Sequence, residues 1–464
     1  MNYVSTRGEA PKLGFSDTVL SGLARDGGLY VPEIWPQFTT NEIRAMRGLP
    51  YADVAIRIMR PFIGGEIDDA TLERIVRDAY ATFRHPAVCP LVQTGPNGFV
   101  LELFHGPTLA FKDVAMQFLA RLMDHILTQR GGRATIVGAT SGDTGGAAIE
   151  AFAGRERSDI FILFPKGKVS PVQQRQMTTA NAPNVHAIAV EGTFDDCQSM
   201  LKDMFGDTRF RDAVSLSGVN SINWARILAQ IVYYFSAALS LGAPDRAVTF
   251  VVPTGNFGDI FAGYAAKRMG LPVDRLVIAT NDNDILARTM ASGEYRTTGV
   301  VATTSPSMDI QVSSNFERLL FEASGRNAGS IRNWMSSLKQ SGAFTIDETT
   351  ITVIRDSFDA GRADMAAVAS TMAAELANSG YLLDPHTATA VYVAASASSA
   401  SPIIILGTAH PAKFPDAVEQ ATGVRPGLPA WLNDLMSRPE KFDVLPSDVK
   451  LVEDYVESRT RGGV

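Results

Sequence analysis

The chain has 464 residues, of which 45% are hydrophobic and 20% charged, enough apolar material for several buried cores and too much for wholesale disorder. Its 42 Lys and Arg against 49 Asp and Glu give a formal charge of −7, which leaves no basic footprint for nucleic acid or an acidic membrane surface. Two cysteines, Cys89 and Cys197, exclude a disulfide framework and suit a reducing compartment.

The first eight residues lack a basic stretch followed by an apolar core, so no secretory leader is expected. No apolar run approaches the roughly 20 residues of a spanning helix. The expectation is a soluble, cytoplasmic protein. Residues 1–95 read as a mainly helical N-terminal domain, broken by Gly and Pro and punctuated at its end by prolines and Gly95.

Residues 96–425 change character. Short β-branched runs end in glycine-bearing loops and are followed by helical patterns, which predicts an α/β fold with parallel-rich sheets flanked by helices. A helix is predicted over 114–129, with Val114, Phe118, Leu122 and Ile126 on one face and Gly131-Gly132 as its stop. A strand over 133–138, a loop over 139–146 and a helix over 147–152 come next. Further strands are predicted over 160–164, 185–190, 248–252 and 276–279, all too continuously apolar for a half-solvated antiparallel face. The Ala/Ser-rich stretch 388–401 reads as a close-packed helix and a turn. Residues 426–464 form a polar closing segment whose amphipathic stretch, 448–456, packs as a helix.

The six histidines form no close pair and the cysteines no CxxC, so spacing supports no metal site. Neither a Walker loop nor a dinucleotide fingerprint occurs. Three loops carry the chemistry instead. Gly255-Asn256-Phe257-Gly258 joins a strand to a helix, where glycine permits close approach and helix-start amides hold a phosphate. An ordinary turn, with Asp259 as a favourable first-turn charge, explains that loop equally well. In Thr140-Ser141-Gly142-Asp143-Thr144-Gly145, hydroxyls and amides suit a carboxylate, while Asp143 taken alone reads first as a cap. Lys112, at the end of His105-Gly106-Pro107-Thr108-Leu109-Ala110-Phe111-Lys112 and beside a helix start, is placed to have a lowered pKa and to attack an aldehyde. In isolation the plainer reading is a lysine solvated or paired with Asp113.

Together these loops change the reading. With Tyr3-Val4-Ser5-Thr6-Arg7-Gly8, Asn220-Ser221-Ile222-Asn223-Trp224-Ala225-Arg226, Asn281-Asp282-Asn283-Asp284, Ser307-Met308-Asp309-Ile310 and Thr408-Ala409-His410-Pro411-Ala412-Lys413-Phe414, the chain resembles a known family through most of its length. That family is the long-chain bacterial and fungal threonine synthases, within the tryptophan-synthase-β-like enzymes that use pyridoxal 5′-phosphate (PLP).

The resemblance implies a two-lobed fold, the smaller lobe roughly 113–215, with Lys112 as the lysine in imine linkage to the cofactor. It implies that Gly255, Asn256, Phe257 and Gly258 take the cofactor phosphate. Asp143 stands where related enzymes often carry an asparagine at the pyridoxal hydroxyl, and Thr408 falls in the region that faces the pyridine nitrogen. The implied reaction turns O-phospho-L-homoserine and water into L-threonine and phosphate, by loss of Cα and Cβ protons, departure of phosphate from Cγ and addition of water at Cβ. Cations near the matched motifs, Arg226, Lys413 and His410, are candidates for the substrate phosphate, Ser141 and Thr144 for its carboxylate, and His386 is a further site candidate. The resemblance leans toward a monomer. A serine or threonine dehydratase and a catalytically silent phospho-ligand binder are the competing readings, and the long N-terminal domain and the 408–414 segment favour the first.

Overall fold

The computed structural model describes residues 1–397 and 399–462. Ser398, within the predicted Ala/Ser-rich turn, and residues 463 and 464 of the closing segment lie outside the described residues. Two sheets organise the chain. In spatial order the larger holds Phe358–Arg362, Val273–Thr280, Val248–Pro253, Ile403–Gly407, Gly98–Glu102 and Leu91–Gln93. All its neighbours run parallel except the last pair, an antiparallel hairpin. The smaller holds Asp443–Pro446, Val185–Glu191, Ser158–Pro165, Ala134–Ala139 and Leu216–Ser217, all parallel. Ser158–Pro165 and Val248–Pro253 are buried along their whole length, as strands covered on both faces must be.

Several boundaries move relative to the sequence reading. The hairpin Leu91–Gln93/Gly98–Glu102 belongs to the larger sheet, so a break at residue 95 falls inside its turn. The N-terminal region is helical, with Phe15–Ser21, Thr40–Arg44, Tyr51–Ile63 and Asp69–Tyr80, but it also pairs Tyr3–Ser5 with Tyr30–Pro32. The smaller sheet reaches beyond 113–215: its edge strand, Asp443–Pro446, comes from the closing segment. The helix Val449–Glu457 then packs Val452, Tyr455 and Val456 against Phe161 and Ile188 on that sheet. Parallel pairing demands such a long return, because two parallel strands cannot be joined by a tight turn.

The helix Trp224–Ser240 is buried nearly all round. It packs against Tyr51–Ile63, Lys112–Gln129 and Gly258–Arg268, and Trp224 meets Tyr3, Trp35 and Phe62 in an aromatic cluster. The N-terminal region is therefore continuous with the main core. Loops after Ala134–Ala139, Val248–Pro253, Ile403–Gly407 and Gly98–Glu102 converge at the carboxyl ends of their strands, where open α/β sheets bind ligands. Among the described residues no helix is long and apolar enough to cross a membrane.

Candidate active site

Lys112 is the first residue of the helix Lys112–Gln129, two residues before the predicted start, and is buried. Asp113 is not its partner. That carboxylate accepts from the Thr108 amide at 2.8 Å and the Thr108 hydroxyl at 2.7 Å, closing the turn behind Gly106. Lys112 Nζ instead donates to Asp143 Oδ2 at 3.3 Å and to Ser307 Oγ at 3.2 Å. Burial, with Lys413 and Arg226 adding to it, lowers its pKa against the pull of Asp143, which shifts the balance toward the neutral amine relative to an exposed lysine.

Asp143 is the hub of this cluster and caps nothing. The helix Asp143–Phe152 begins on it, its N-cap is Gly142, and Thr140 Oγ1 takes the amides of Gly142 and Gly145, each at 2.9 Å. Asp143 Oδ1 receives Lys413 Nζ at 3.1 Å and Gln173 Nε2 at 2.9 Å; Oδ2 receives Lys112 and, at 3.2 Å, Ser307 Oγ. Burial acts to raise its pKa, but Lys413, Lys112, His386 and the Gln173 amide outweigh it and hold the carboxylate well below its ordinary range.

Lys413 is fully buried, forms an ion pair with Asp143 Oδ1 at 3.1 Å, and donates to Thr108 O at 2.7 Å and Gln176 Oε1 at 2.8 Å. It is not among the residues that line the cavity holding Lys112 and Arg226, and the structure makes it a counter-charge of Asp143. His410 is likewise removed from that role. Its Nδ1 accepts the Ala412 amide at 3.1 Å, its ring lies edge-on to Phe104, and burial beside His105 pushes it down to about 4, so it carries no charge to offer an anion.

The loop after Val248–Pro253 is built to present amides. Its carbonyls are bound from outside: Gly255 O accepts Ser313 Oγ at 2.6 Å, and Asn256 O accepts the Asn315 amide and side chain at 3.0 and 2.9 Å. Phe257 sits at φ +64° as the residue before the helix Gly258–Arg268, its ring buried against Phe316 and Phe358. That packing offsets the cost of a left-handed non-glycine residue. A Cβ on Gly255 would lie 2.7 Å from the Ser307 carbonyl oxygen.

This loop shares one cavity with Lys112, Thr144, Arg226, Asp259, Ser307, His386 and Thr408. Arg226 is 3% exposed, donates from Nη1 to Val219 O at 3.2 Å, and leaves a buried Nε without a partner. Burial pushes it down to about 10, with no carboxylate among the groups acting on it. A buried guanidinium without a counter-ion among the described residues, beside an anion-type loop, suits an anion. Ser141 is half-buried on its loop and is not among the cavity's lining residues.

Ser307 carried no assigned role in the sequence. It sits on a 3₁₀ turn, Pro306–Met308, and touches Lys112, Asp143, His386 and the Gly255 region together. The asparagine-rich motif holds that turn: Asn281 Nδ2 donates to Thr303, Ser305 and Asp309, and Asn283 Nδ2 to Asp309. His386 Nε2 accepts the Ser307 amide at 3.3 Å, which places the ring proton on Nδ1, 2.9 Å from Asp384. The segment Ser307-Met308-Asp309-Ile310 takes part in the resemblance, but partners 195 residues apart along the chain leave no local pattern from which the role of Ser307 could be read.

A family model described as "Pyridoxal-phosphate dependent enzyme" matches residues 92–405, one for the "Threonine synthase N terminus" residues 2–80, and one for "Threonine synthase, C-terminal" residues 387–456. A curated "Threonine synthase" of Pseudomonas aeruginosa is 53% identical, over 100% of this chain and 99% of that protein. The chain belongs to the threonine synthase family.

Its activity is PLP-dependent synthesis of threonine. The Saccharomyces cerevisiae threonine synthase is 43% identical, over 98% of this chain and 97% of that one. The crystal structure of a PLP-bound threonine synthase from Brucella melitensis is 67% identical, with a TM-score of 0.98 and both chains covered in full. A threonine deaminase from Solanum lycopersicum, at 12% identity and a TM-score of 0.52, shares the fold alone, and the dehydratase alternative is not favoured.

Proposed function

We propose that this threonine synthase takes O-phospho-L-homoserine and water to L-threonine and phosphate, as a cytoplasmic monomer, with Lys112 as both the cofactor-binding amine and the proton carrier. One observation carries the reading. A single cavity joins a buried amine of lowered pKa to an amide-presenting loop backed by an unpaired guanidinium. These residues fit PLP: the aldehyde has its amine, and the phosphate has the loop of Gly255, Asn256, Phe257 and Gly258 with Arg226 behind it.

When bound, PLP supplies an electron sink that acidifies the protons to be removed. The chain supplies the rest. Of the two lysines at Asp143, Lys112 lines the cavity, whereas Lys413 does not and is tied to Thr108 O and Gln176 Oε1, so Lys112 Nζ is the amine placed to move protons between Cα and Cβ. Ser307 Oγ accepts from Lys112 and donates to Asp143, which keeps Nζ aimed. We assign Asp143, neutralised by Lys413, to the pyridoxal hydroxyl, Thr408 to the ring nitrogen, and Thr144, with Ser141 at the loop's outer edge, to the substrate carboxylate. Arg226 is assigned to the phosphate end of the cavity.

Phosphate release from phosphohomoserine, assayed beside turnover of threonine and serine, tests the reaction; activity on the latter pair alone would overturn it. Sedimentation at single-chain mass is expected. Gly255→Ala, which sets a Cβ against the Ser307 carbonyl, should weaken PLP binding by about tenfold or more, the equivalent of ~1.4 kcal/mol. Fluorescence titration of the cofactor-free chain measures this, and an unchanged affinity would show that the loop needs no such close approach.

A further inference from the structure

Asp259 is the second residue of the helix that follows the phosphate-type loop, and it lines the same cavity. It is 6% exposed. Its Oδ1 accepts both phenolic hydroxyls of the neighbouring helix, Tyr233 and, at 3.0 Å, Tyr234. Its Oδ2 is buried and has no partner. An ionised carboxylate with one oxygen orphaned in a buried site is costly, and a phosphate arriving in the same cavity adds like charge. The acid form removes both penalties and turns the orphan acceptor into a donor.

We propose that Asp259 is a further cofactor-binding residue that works as the neutral acid: Tyr233 and Tyr234 hold Oδ1, and the Oδ2 hydroxyl donates to an oxygen of the phosphate monoester at the 255–258 loop. Burial already raises this carboxyl to about 7 before any phosphate is present. Lys112 is the cation whose field opposes the rise. Cys89, itself pushed up by burial, and the phenols of Tyr233 and Tyr234 face Asp259. Glu317 and Arg318, on the helix Phe316–Ala323 that also packs here, are engaged elsewhere, with Thr6 and Arg7 and with Tyr30 and Asn315. Ionisation of Asp259 removes the donor and adds repulsion, so phosphate affinity should fall as pH rises above about 7.

The proposal rests on assigning the loop to the cofactor phosphate, and the test separates the two. PLP and pyridoxal are titrated from pH 6 to 9 into the cofactor-free full chain and into Asp259→Asn, whose amide keeps a donor that cannot ionise. The expected result is a wild-type PLP affinity that drops by roughly tenfold per pH unit relative to D259N above the transition, with no such gap for pyridoxal. Titrations of the cofactor itself are common to both proteins and cancel. Parallel pH profiles, with PLP preferred over pyridoxal in both, would overturn the role of Asp259 and leave the loop assignment standing. Equal binding of PLP and pyridoxal by both would overturn the loop assignment as well. Orthophosphate inhibition of the loaded enzyme is the remaining arm: a pH gap found there and absent for PLP would move the donor to the substrate's phosphate and refute the proposal as stated.

Discussion

Lys112→Ala should abolish phosphate release from phosphohomoserine while leaving the protein folded. General acid–base groups alone are worth about a hundredfold to ten-thousandfold. Lys112 is asked to do that and also to hold the cofactor in place, so the loss should exceed the upper end of that range. The fold should survive, because Asp143 keeps Lys413, Gln173 and Ser307 after the amine is gone. Unchanged circular dichroism and a cooperative melt would establish the second half. Borohydride reduction followed by peptide mass spectrometry would establish the first: a pyridoxyl group on Lys112 in the wild type and none in the variant. Turnover within tenfold of wild type, or an adduct on another residue, would remove Lys112 from its role.

Lys413→Met should produce a loss of a different kind, in stability. The side chain is fully buried, and its ammonium serves a carboxylate, a backbone carbonyl and an amide oxygen at once. Breaking a buried ion pair from one side costs about 3–5 kcal/mol, and the loss here should fall toward the lower end because Asp143 keeps Lys112 at 3.3 Å. Urea unfolding of the cofactor-free chain reads this directly. Adding Asp143→Asn in the same chain removes the carboxylate that has lost one of its two cationic partners and should recover part of the loss. Lys413 also depresses Lys112, so in any residual activity the limb along which Lys112 must lose its proton should move to higher pH. A substrate-phosphate ligand would behave otherwise, with KM raised and stability untouched, and that result would restore the role expected from the sequence.

The α/β class and the two-lobed family were legible because they are written in local pattern. Continuous apolar runs ending in glycine loops mark buried parallel strands wherever they occur. Lys112 and the loop from Gly255 to Gly258 were legible for the same reason, since an amine at a helix start and glycines at a strand-to-helix turn are features of a few adjacent residues. Local pattern stops where the deciding partner is remote. Taken alone Asp143 reads as a cap because a first-turn acid usually is one, the resemblance puts it at the pyridoxal hydroxyl, and Lys413, Lys112, Gln173 and Ser307 make it a hub. Lys413 and Arg226 looked equivalent as cations near matched motifs. The fold ties the first to Asp143, Thr108 and Gln176 outside the cavity lining and leaves the second, in the lining, with an orphaned Nε.

By itself the sequence determined which groups are available: one amine at a helix start, one amide-rich loop, and the family to which their combination belongs. A net charge of −7 said nothing about anion binding at the site, because helix-start amides and one guanidinium act over a few ångströms, while overall charge acts through screened solvent. Only the tertiary structure decided which charges are neutralised, which are left open and which protonation states burial favours. Those depend on distances of about 3 Å between residues as far apart as Lys413 and Gln176, and on desolvation that exists only after the chain has closed around them.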